Sequence, residues 1–211
     1  MKIAAIAGNE LREEINTKKI PAEVELVWAN SLQGLLKETD ADIYFDLEFV
    51  KDSQRIEQLS QLLPKPVFIN SVVHTLYEIG QPFIRINAWP GFLKRPVTEI
   101  AVVNKDQEDT IRKVFQMIQW QFKVVADIPG MISARVIAMI INEAYYTLQD
   151  NISTKAEIDI AMKLGTNYPY GPFEWSSLAG LKNIYELLTV LSKTDTRYTA
   201  SDLLMKEAQD E

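Results

Sequence analysis

Cysteine is absent from the 211-residue sequence, and histidine occurs only once, at His74. Without cysteine there are no disulfides, no thiolate nucleophiles and no cysteine-based zinc sites. A single histidine also argues against a histidine-rich metal site. The sequence therefore predicts a protein without a bound metal.

Positive charge is also scarce, because 22 basic residues stand against 29 acidic ones and give a net charge of -7. An acidic total disfavours non-specific binding to nucleic acid or to an anionic membrane, since both need a positive face. The apolar run at residues 3–7 passes directly into acidic residues, unlike a signal peptide, and no apolar run approaches the length of a membrane span. We therefore expect a cytoplasmic protein that binds neither nucleic acid nor membranes.

Seven short runs rich in apolar and β-branched residues predict β-strands in the first part of the chain. They are residues 2–7, 23–28, 41–47, 67–69, 83–86, 100–103 and 123–126. Apolar residues at helical spacing separate most of these runs, as at residues 55–63 and 110–121. The alternation predicts a mostly parallel sheet that helices cover on both faces.

After residue 126 the strand pattern stops, and the sequence predicts only helices and turns. Apolar residues continue at helical spacing to about residue 149. Thr154 and Glu157 have the spacing of a capping box and predict the start of the next helix. A turn-rich loop at residues 167–172 precedes a further helix around residues 184–191.

A series of short motifs marks this second part of the chain. They are Asp127-Ile128-Pro129-Gly130-Met131-Ile132, Arg135, Asn142-Glu143-Ala144, Glu157-Ile158-Asp159, Leu164-Gly165, Pro169-Tyr170-Gly171-Pro172-Phe173 and Gly180-Leu181. In this order they resemble the helical domain of the 3-hydroxyacyl-CoA dehydrogenase family. The first part of the chain resembles the family more loosely, through residues 41–43 with Asp46, through Asn70-Ser71 and through residues 87–99.

The resemblance implies a two-domain oxidoreductase fold. Residues 1–125 would form a shortened α/β Rossmann-like domain of the NAD-binding type, and residues 126–211 an all-α dimerisation domain of the 6-phosphogluconate dehydrogenase C-terminal-like type. In the family the first domain binds NAD, and the second closes over an acyl-CoA that is oxidised at its 3-hydroxyl group. The resemblance therefore implies a homodimer through the helical domain, an acyl-CoA or other small-molecule ligand, and a role in fatty-acid or hydroxybutyrate metabolism.

The positions that hold the dinucleotide in the family carry different residues here. The three glycines of G-x-G-x-x-G fall on Ala7, Asn9 and Arg12, with Gly8 between the first two. The acidic residue that would hold the ribose hydroxyls after the second strand is replaced by Ala29-Asn30. The family positions for the cofactor are thus Gly8, Asn9, Arg12 and Asn30. We expect no cofactor, with NAD as the alternative if the family function survives.

The catalytic positions are also altered. Glu99 is retained, whereas Asn87 replaces the family's histidine base, and the serine falls on Val72 unless Ser71 substitutes for it. An asparagine amide cannot take the substrate's proton, because it has no useful pKa. Asn87 and Glu99 are alternatively no more than partners at the ends of neighbouring strands. The family's asparagine after Pro-Gly falls on Ala134.

Two functions remain open at this stage. The replacements favour a 3-hydroxyacyl-CoA dehydrogenase-like protein that is catalytically degenerate and has a binding or assembly role. The alternative is an active NAD-dependent 3-hydroxyacyl-CoA dehydrogenase that uses non-standard residues. For that enzyme His74 is the only histidine available, four residues before Glu78 on a predicted short helix. The same histidine is alternatively a solvent-facing or capping residue.

Overall fold

The computed structural model describes residues 1–211 and contains two compact units, Met1–Met131 and Ile132–Glu211. The first unit comprises β1 (Lys2–Ile6), α1 (Asn9–Thr17), β2 (Glu25–Ala29), α2 (Leu32–Lys37), β3 (Ile43–Asp46), α3 (Ser53–Ser60), β4 (Val67–Asn70), α4 (Leu76–Ile79), β5 (Ile84–Ile86), β6 (Val97–Ala101), α5 (Asp106–Met117) and β7 (Gln121–Val124). The second comprises α6 (Ser133–Gln149), α7 (Lys155–Thr166), α8 (Pro172–Ala179), α9 (Leu181–Ser192), a 3-10 turn (Thr196–Tyr198) and α10 (Asp202–Asp210). The domain boundary predicted after residue 125 stays a prediction.

The seven strands form one sheet in the order β2-β1-β3-β4-β5-β6-β7. Every neighbouring pair is parallel except β5 with β6. The predicted mostly parallel, seven-stranded sheet is therefore confirmed. The predicted bounds of the sixth strand were wrong, because β6 begins at Val97 and ends at Ala101. Its first half carries the buried polar residues Thr98 and Glu99, which hid the strand from a search for apolar runs.

Side chains along each strand alternate between two cores, one on each face of the sheet. On β1, Ile3 and Ala5 join a core that includes buried residues of α1 and α5. Ala4 and Ile6 join the other core, to which α2, α3 and α4 contribute. This alternation follows from the two-residue period of a strand. The sheet is thus covered on both faces, as predicted.

The helical unit contains the predicted capping box at the start of α7. The Thr154 side chain accepts a hydrogen bond from the backbone N–H of Glu157 at 3.3 Å. The Glu157 carboxylate accepts from the backbone N–H of Thr154 at 3.1 Å. Each side chain satisfies a backbone donor that the first turn of a helix leaves without an intrahelical partner.

Helix α8 was not predicted, because its first residue lies in the predicted turn-rich loop. Pro172 ends the predicted loop and opens the helix, where its missing N–H costs nothing and its fixed φ suits the first turn. The carboxylate of Asp159 accepts from the backbone N–H of Phe173 at 2.8 Å. A Cβ on Gly171 would lie only 2.3 Å from that carboxylate. Glycine is therefore required where the loop meets α7.

Asn142 fastens the C-terminal segment of the helical unit to α6. Its side-chain amide donates to the carbonyl of Thr199 at 2.8 Å, and its side-chain oxygen accepts from the N–H of Ser201 at 2.9 Å. Only 2% of the residue is exposed.

None of the helices in the molecule combines the length and the apolar character that a membrane span requires.

Candidate functional site

The sheet reverses its strand order around β1, which lies between β2 and β3. In open parallel sheets, ligands bind in the crevice at the carboxyl ends of the strands beside such a reversal. Here the loop after β1 contains Gly8, which is the N-cap of α1 and is exposed. Asn9 and Glu10 follow as the first residues of the helix. The structure thus places the predicted cofactor positions at the point where the fold offers a site.

Arg12 fills the corner between the carboxyl ends of β1 and β2. Its Nε donates to the carbonyl of Ala7 at 2.7 Å, and its Nη2 donates to the carbonyl of Ala29 at 2.9 Å. The same Nη2 contacts the side-chain oxygen of Asn30 at 3.3 Å, and the guanidinium lies 5.0 Å from the centre of the Trp28 ring. The two predicted cofactor residues Arg12 and Asn30 therefore contact each other. The Nε and Nη2 donors of Arg12 already bond to oxygen atoms of the protein.

Acidic groups occupy the other side of this loop. A Cβ added to Gly8 would lie 3.8 Å from the Oε1 atom of Glu48, which follows β3. Glu10 lies in the first turn of α1. A carboxylate about 5 Å from a phosphate charge costs roughly 3 kcal/mol at an effective dielectric near 20. These carboxylates make the loop a poor fit for the pyrophosphate of NAD, and Arg12, whose charge would offset part of that cost, is already bonded to the carbonyls of Ala7 and Ala29.

A buried ion pair lies at the carboxyl end of β3. Asp46 is fully buried, and Arg55 of α3 binds it with two hydrogen bonds of 2.7 and 2.6 Å. The backbone N–H of Glu48 also donates to Asp46 at 3.2 Å. Burial raises the pKa of the Asp46 carboxyl, while the hydrogen bonds and charge of Arg55 oppose that shift. The pair fixes the strand end that faces the crevice.

Asn87 and Glu99 are partners on the two antiparallel neighbours β5 and β6. The side-chain amide of Asn87 donates to the Glu99 carboxylate at 3.2 Å, and its backbone N–H donates to the Glu99 carbonyl at 3.0 Å. Both residues are buried. The predicted partnership of these two residues is therefore seen, but only Asn87 lies at a strand end, because Glu99 is the central residue of β6. The pair can orient a polar group, but the amide cannot accept a proton.

Ser71 and His74 belong to one tight turn before α4. The hydroxyl of Ser71 donates to the backbone carbonyl of His74 at 2.9 Å, and Ser71 is buried. The carboxylate of Glu78 accepts from both the backbone N–H and the hydroxyl of Thr75, at 2.8 and 3.0 Å. Glu78 therefore caps the helix that begins at Leu76, and the Ser71 hydroxyl stabilises the turn.

Arg85 is a central residue of this region that the sequence did not single out. It is fully buried on β5, and its guanidinium donates to the carbonyls of Ser71 and Val72 at 2.6 and 2.9 Å. Its Nη1 forms an ion pair of 2.5 Å with Asp127. Asp127 in turn accepts from the backbone N–H of Leu76 at 2.9 Å. A lone arginine in the apolar run at residues 83–86 was the only local signal for this cluster.

The helical unit has a depression of about 380 Å³ of its own. Lys155 lies at its wall, 5.4 Å from the ring centres of both Tyr145 and Phe173. Its ammonium pairs with Glu207 at 2.7 Å, and the Tyr145 hydroxyl donates to the same carboxylate at 2.8 Å. A cation supplied by the chain itself therefore already lies against these two rings.

A Rossmann-like sheet followed by an all-helical unit defines the class of two-domain dehydrogenase folds. Residues 130–210 match the model of the 3-hydroxyacyl-CoA dehydrogenase C-terminal domain. The chain is similar to the 3-hydroxyacyl-CoA dehydrogenases, with its helical unit matching the C-terminal domain of that family, and the predicted resemblance is confirmed. The α/β Rossmann-like fold with a helical C-terminal domain is confirmed with it.

Several relatives support this assignment. The 3-hydroxyadipyl-CoA dehydrogenase of Escherichia coli K12 is 31% identical over 176 residues, which are 81% of this chain and 36% of that protein. The 3-hydroxybutyryl-CoA dehydrogenase of Clostridioides difficile is 39% identical over 102 residues, which are 46% of this chain and 36% of that protein. The chain thus spans little more than a third of the length of these relatives.

Solved structures agree on the fold. The (S)-3-hydroxybutyryl-CoA dehydrogenase of Ralstonia eutropha superimposes with a TM-score of 0.75 at 14% identity, over 99% of this chain and 93% of that one. The 3-hydroxybutyryl-CoA dehydrogenase of Escherichia coli K12 has a TM-score of 0.58 at 33% identity, over 68% of this chain and 32% of that one. At its low identity the first similarity speaks for the fold alone.

Proposed function

We propose that this 3-hydroxyacyl-CoA dehydrogenase-like protein is catalytically degenerate and acts as a binding or assembly module. The observation that carries the proposal is the side chain of Arg12, which stands at the third glycine position of the dinucleotide loop. It bonds to the strand ends that a cofactor would approach. The side chain at position 87 adds to this, because an amide replaces the base of the family. On this proposal no cofactor is bound.

The first test is binding of the cofactor. NAD or NADH at a hundred times its dissociation constant would stabilise a protein that binds it by about 2.7 kcal/mol. We expect no change in the thermal midpoint with either nucleotide, measured by differential scanning fluorimetry and repeated by isothermal titration calorimetry. The variant Arg12→Gly with Asn9→Gly should gain some affinity if the side chain at position 12 is the obstacle.

The competing function, an active dehydrogenase, is tested by hydride transfer. Absorbance of NADH is followed with 3-hydroxybutyryl-CoA as substrate, and we expect no turnover. The control is Tyr77→Ala, because Tyr77 is an exposed residue of α4, the helix that begins shortly after His74. Turnover that disappears in His74→Ala but persists in this control would overturn our proposal. In that case the protein would be an NAD-dependent enzyme of fatty-acid or hydroxybutyrate metabolism.

We further propose that the assembly is a homodimer formed through the helical unit. Four apolar side chains on α6 and α7 or directly beside them are each more than half exposed, namely Ile132, Val136, Ile160 and Leu164. An apolar groove of about 190 Å³ lies between these two helices and Pro172. Exposed apolar surface of this kind on a soluble domain favours a protein partner. A second copy is the partner that the family resemblance implies.

Light scattering coupled to size-exclusion chromatography measures the oligomeric state. We expect a dimer for the natural sequence and a monomer for Leu164→Glu combined with Val136→Glu. Tyr77→Glu is the matched control, because Tyr77 is highly exposed but lies in the first unit. A monomer in all three samples would contradict the homodimer and leave the exposed apolar residues for a different partner. The cytoplasmic location and the possible acyl-CoA or other small ligand stay predictions.

A further inference from the structure

Arg135 on α6 is a motif residue of the helical unit to which the proposed function gives no role. It is partly buried, and its Nε atom donates to the hydroxyl oxygen of Tyr198 at 2.9 Å. Its two Nη groups have no acceptor within the protein, and its guanidinium forms no ion pair with a carboxylate. Most of the N–H donors of this guanidinium are therefore without a protein partner, and their planar arrangement matches the oxygens of a phosphate or a carboxylate.

A second guanidinium, that of Arg197, reaches the same hydroxyl group. Its Nη2 atom donates to the hydroxyl oxygen of Tyr198 at 2.5 Å. The guanidinium carbons of Arg135 and Arg197 lie 5.0 and 4.6 Å from the centre of the Tyr198 ring. Both guanidiniums stay charged, because arginine is not deprotonated in proteins. The start of α6 and the 3-10 turn thus bring two positive charges to one neutral oxygen.

The hydroxyl group of Tyr198 has no acceptor for its own hydrogen. Only 4% of the residue is exposed. The oxygen accepts from the two arginines, but the hydroxyl donates to no group of the protein. Buried polar groups are normally hydrogen-bonded. The oxygens of one bound ion can accept both from this hydroxyl and from the Nη groups of Arg135, because the two side chains are in direct contact.

The charges of this cluster do not cancel. Asp195 is the carboxylate that pairs with Arg197, and its Oδ2 atom lies 2.9 Å from the Nε atom of the guanidinium. Its other oxygen accepts from the backbone N–H of Arg197 at 3.0 Å. Two guanidiniums against one carboxylate leave an excess of positive charge, although the whole chain has a net charge of -7. An anion is therefore the ligand that this cluster attracts.

We propose that Arg135, Arg197 and Tyr198 form a binding site for the phosphate group of a small molecule. A phosphate monoester has a charge of about -1.5 to -2 at pH 7 and three terminal oxygens that accept hydrogen bonds. Three donor side chains match these three oxygens, whereas a carboxylate has only two. The site lies wholly in the helical unit. The proposal does not depend on the loss of dehydrogenase chemistry in the sheet unit.

A phosphate titration followed by NMR tests the site. Inorganic phosphate is added at constant ionic strength and about pH 7.5, where much of it is doubly charged, and the Nε–H signals of the arginines are recorded. We expect the signals of Arg135 and Arg197 to move together and to saturate with one dissociation constant. Arg135→Gln and Arg197→Gln should each weaken binding about tenfold or more, since this is what a hydrogen bond to a charged group is worth. Because the Arg197 side chain is 66% exposed, Arg197→Gln should fold.

Asp195→Asn distinguishes a phosphate site from a cluster that only holds the turn. Asparagine keeps the side-chain oxygen that accepts from the backbone N–H of Arg197, but it removes the competing negative charge. Phosphate should therefore bind several-fold more tightly to this variant. The matched control is Arg112→Gln, because Arg112 is an exposed arginine on α5 in the other unit. This control should leave the dissociation constant unchanged.

Several outcomes would overturn the proposal. They are the absence of a saturable shift in the natural sequence, equal weakening by Arg112→Gln, and unchanged or weaker binding to Asp195→Asn. Succinate replaces phosphate in a second titration at the same ionic strength, and tighter binding of succinate would refute the phosphate class. A change of oligomeric state in Arg135→Gln, with no phosphate binding by the natural sequence, would assign the arginines to a protein interface and refute the site.

Discussion

The two units of the molecule differ in the residues that they carry at positions matching the family. In the helical unit, matched residues such as Asp159, Gly171 and Asn142 are retained and make contacts that hold helices and turns together. In the sheet unit, several positions that hold the cofactor or the substrate in the family carry other residues, and at one of them Arg12 bonds to the protein's own backbone. The retained motif residues of the helical unit thus serve packing, and on the proposed function the changed positions of the sheet unit serve structure as well.

The largest expected effect comes from disrupting the cluster of Arg85, Asp127 and the backbone carbonyls of Ser71 and Val72. Arg85→Met removes the ion pair with Asp127 and leaves buried carbonyl oxygens without a donor. Breaking one partner of a buried pair costs roughly 3–5 kcal/mol. Urea unfolding followed by tryptophan fluorescence should show this loss. Arg95→Met, at an exposed position, should stay within about 0.5 kcal/mol of the natural sequence. A loss below about 1 kcal/mol for Arg85→Met would remove the structural role that we give to this cluster.

A smaller effect tests the close packing of the helical unit. Gly171→Ala places a Cβ 2.3 Å from the carboxylate of Asp159, so the loop and α7 must separate. Overpacking of this kind costs about 1–3 kcal/mol. The control is Gly165→Ala, where nothing lies within 4 Å of the added Cβ and the position is helical. That substitution should stabilise by about 0.5–1 kcal/mol. Equal effects of the two substitutions in thermal unfolding would contradict the packing argument.

The smallest effect concerns the ion pair of Lys155 with Glu207. This pair is partly exposed, in contrast to the buried pair of Arg85 with Asp127 in the sheet unit. Burial opposes ionisation of Glu207, but the hydrogen bonds from Lys155 and Tyr145 outweigh it and lower the pKa of the carboxyl. Its contribution is therefore present above the ordinary carboxyl pKa and is lost as the pH falls through the lowered one. Glu207→Gln should cost no more than about 1 kcal/mol at pH 7. The difference should shrink in unfolding experiments as the pH falls through the lowered pKa of Glu207, and a difference that grows in acid would show that the sign is wrong.

The sequence predicted those features that depend on neighbouring residues. The seven strands and the capping box at Thr154 follow from local patterns, and the resemblance placed the Rossmann-like and helical units. The partnership of Asn87 with Glu99 was also anticipated, although Glu99 lies in the middle of β6 and only Asn87 lies at a strand end. Helix α8 was missed, since its first residue, Pro172, also fits the end of a turn.

The roles of the two arginines could not be predicted in this way. Arg85 is buried only because Asp127, 42 residues later, and several backbone carbonyls surround it. Arg12 points toward the end of β2, and its partner Ala29 is 17 residues away. Burial of a guanidinium depends on partners that the fold assembles. Local periodicity carries no information about such partners.

The hydrogen bonds of Arg12 also bear on how readily substitutions could make the loop after β1 a better site for a cofactor. Replacing this residue with glycine removes two bonds that link the ends of β1 and β2, each worth about 0.5–1.5 kcal/mol. That single change lowers the stability of the fold. Binding of a cofactor would not compensate for this loss, because Asn9 and the nearby carboxylates still disfavour a phosphate. A change at position 9 alone leaves the Arg12 side chain in place. On the proposed function, cofactor binding therefore requires at least two substitutions, and natural variation that proceeds one residue at a time is expected to leave the loop as it is.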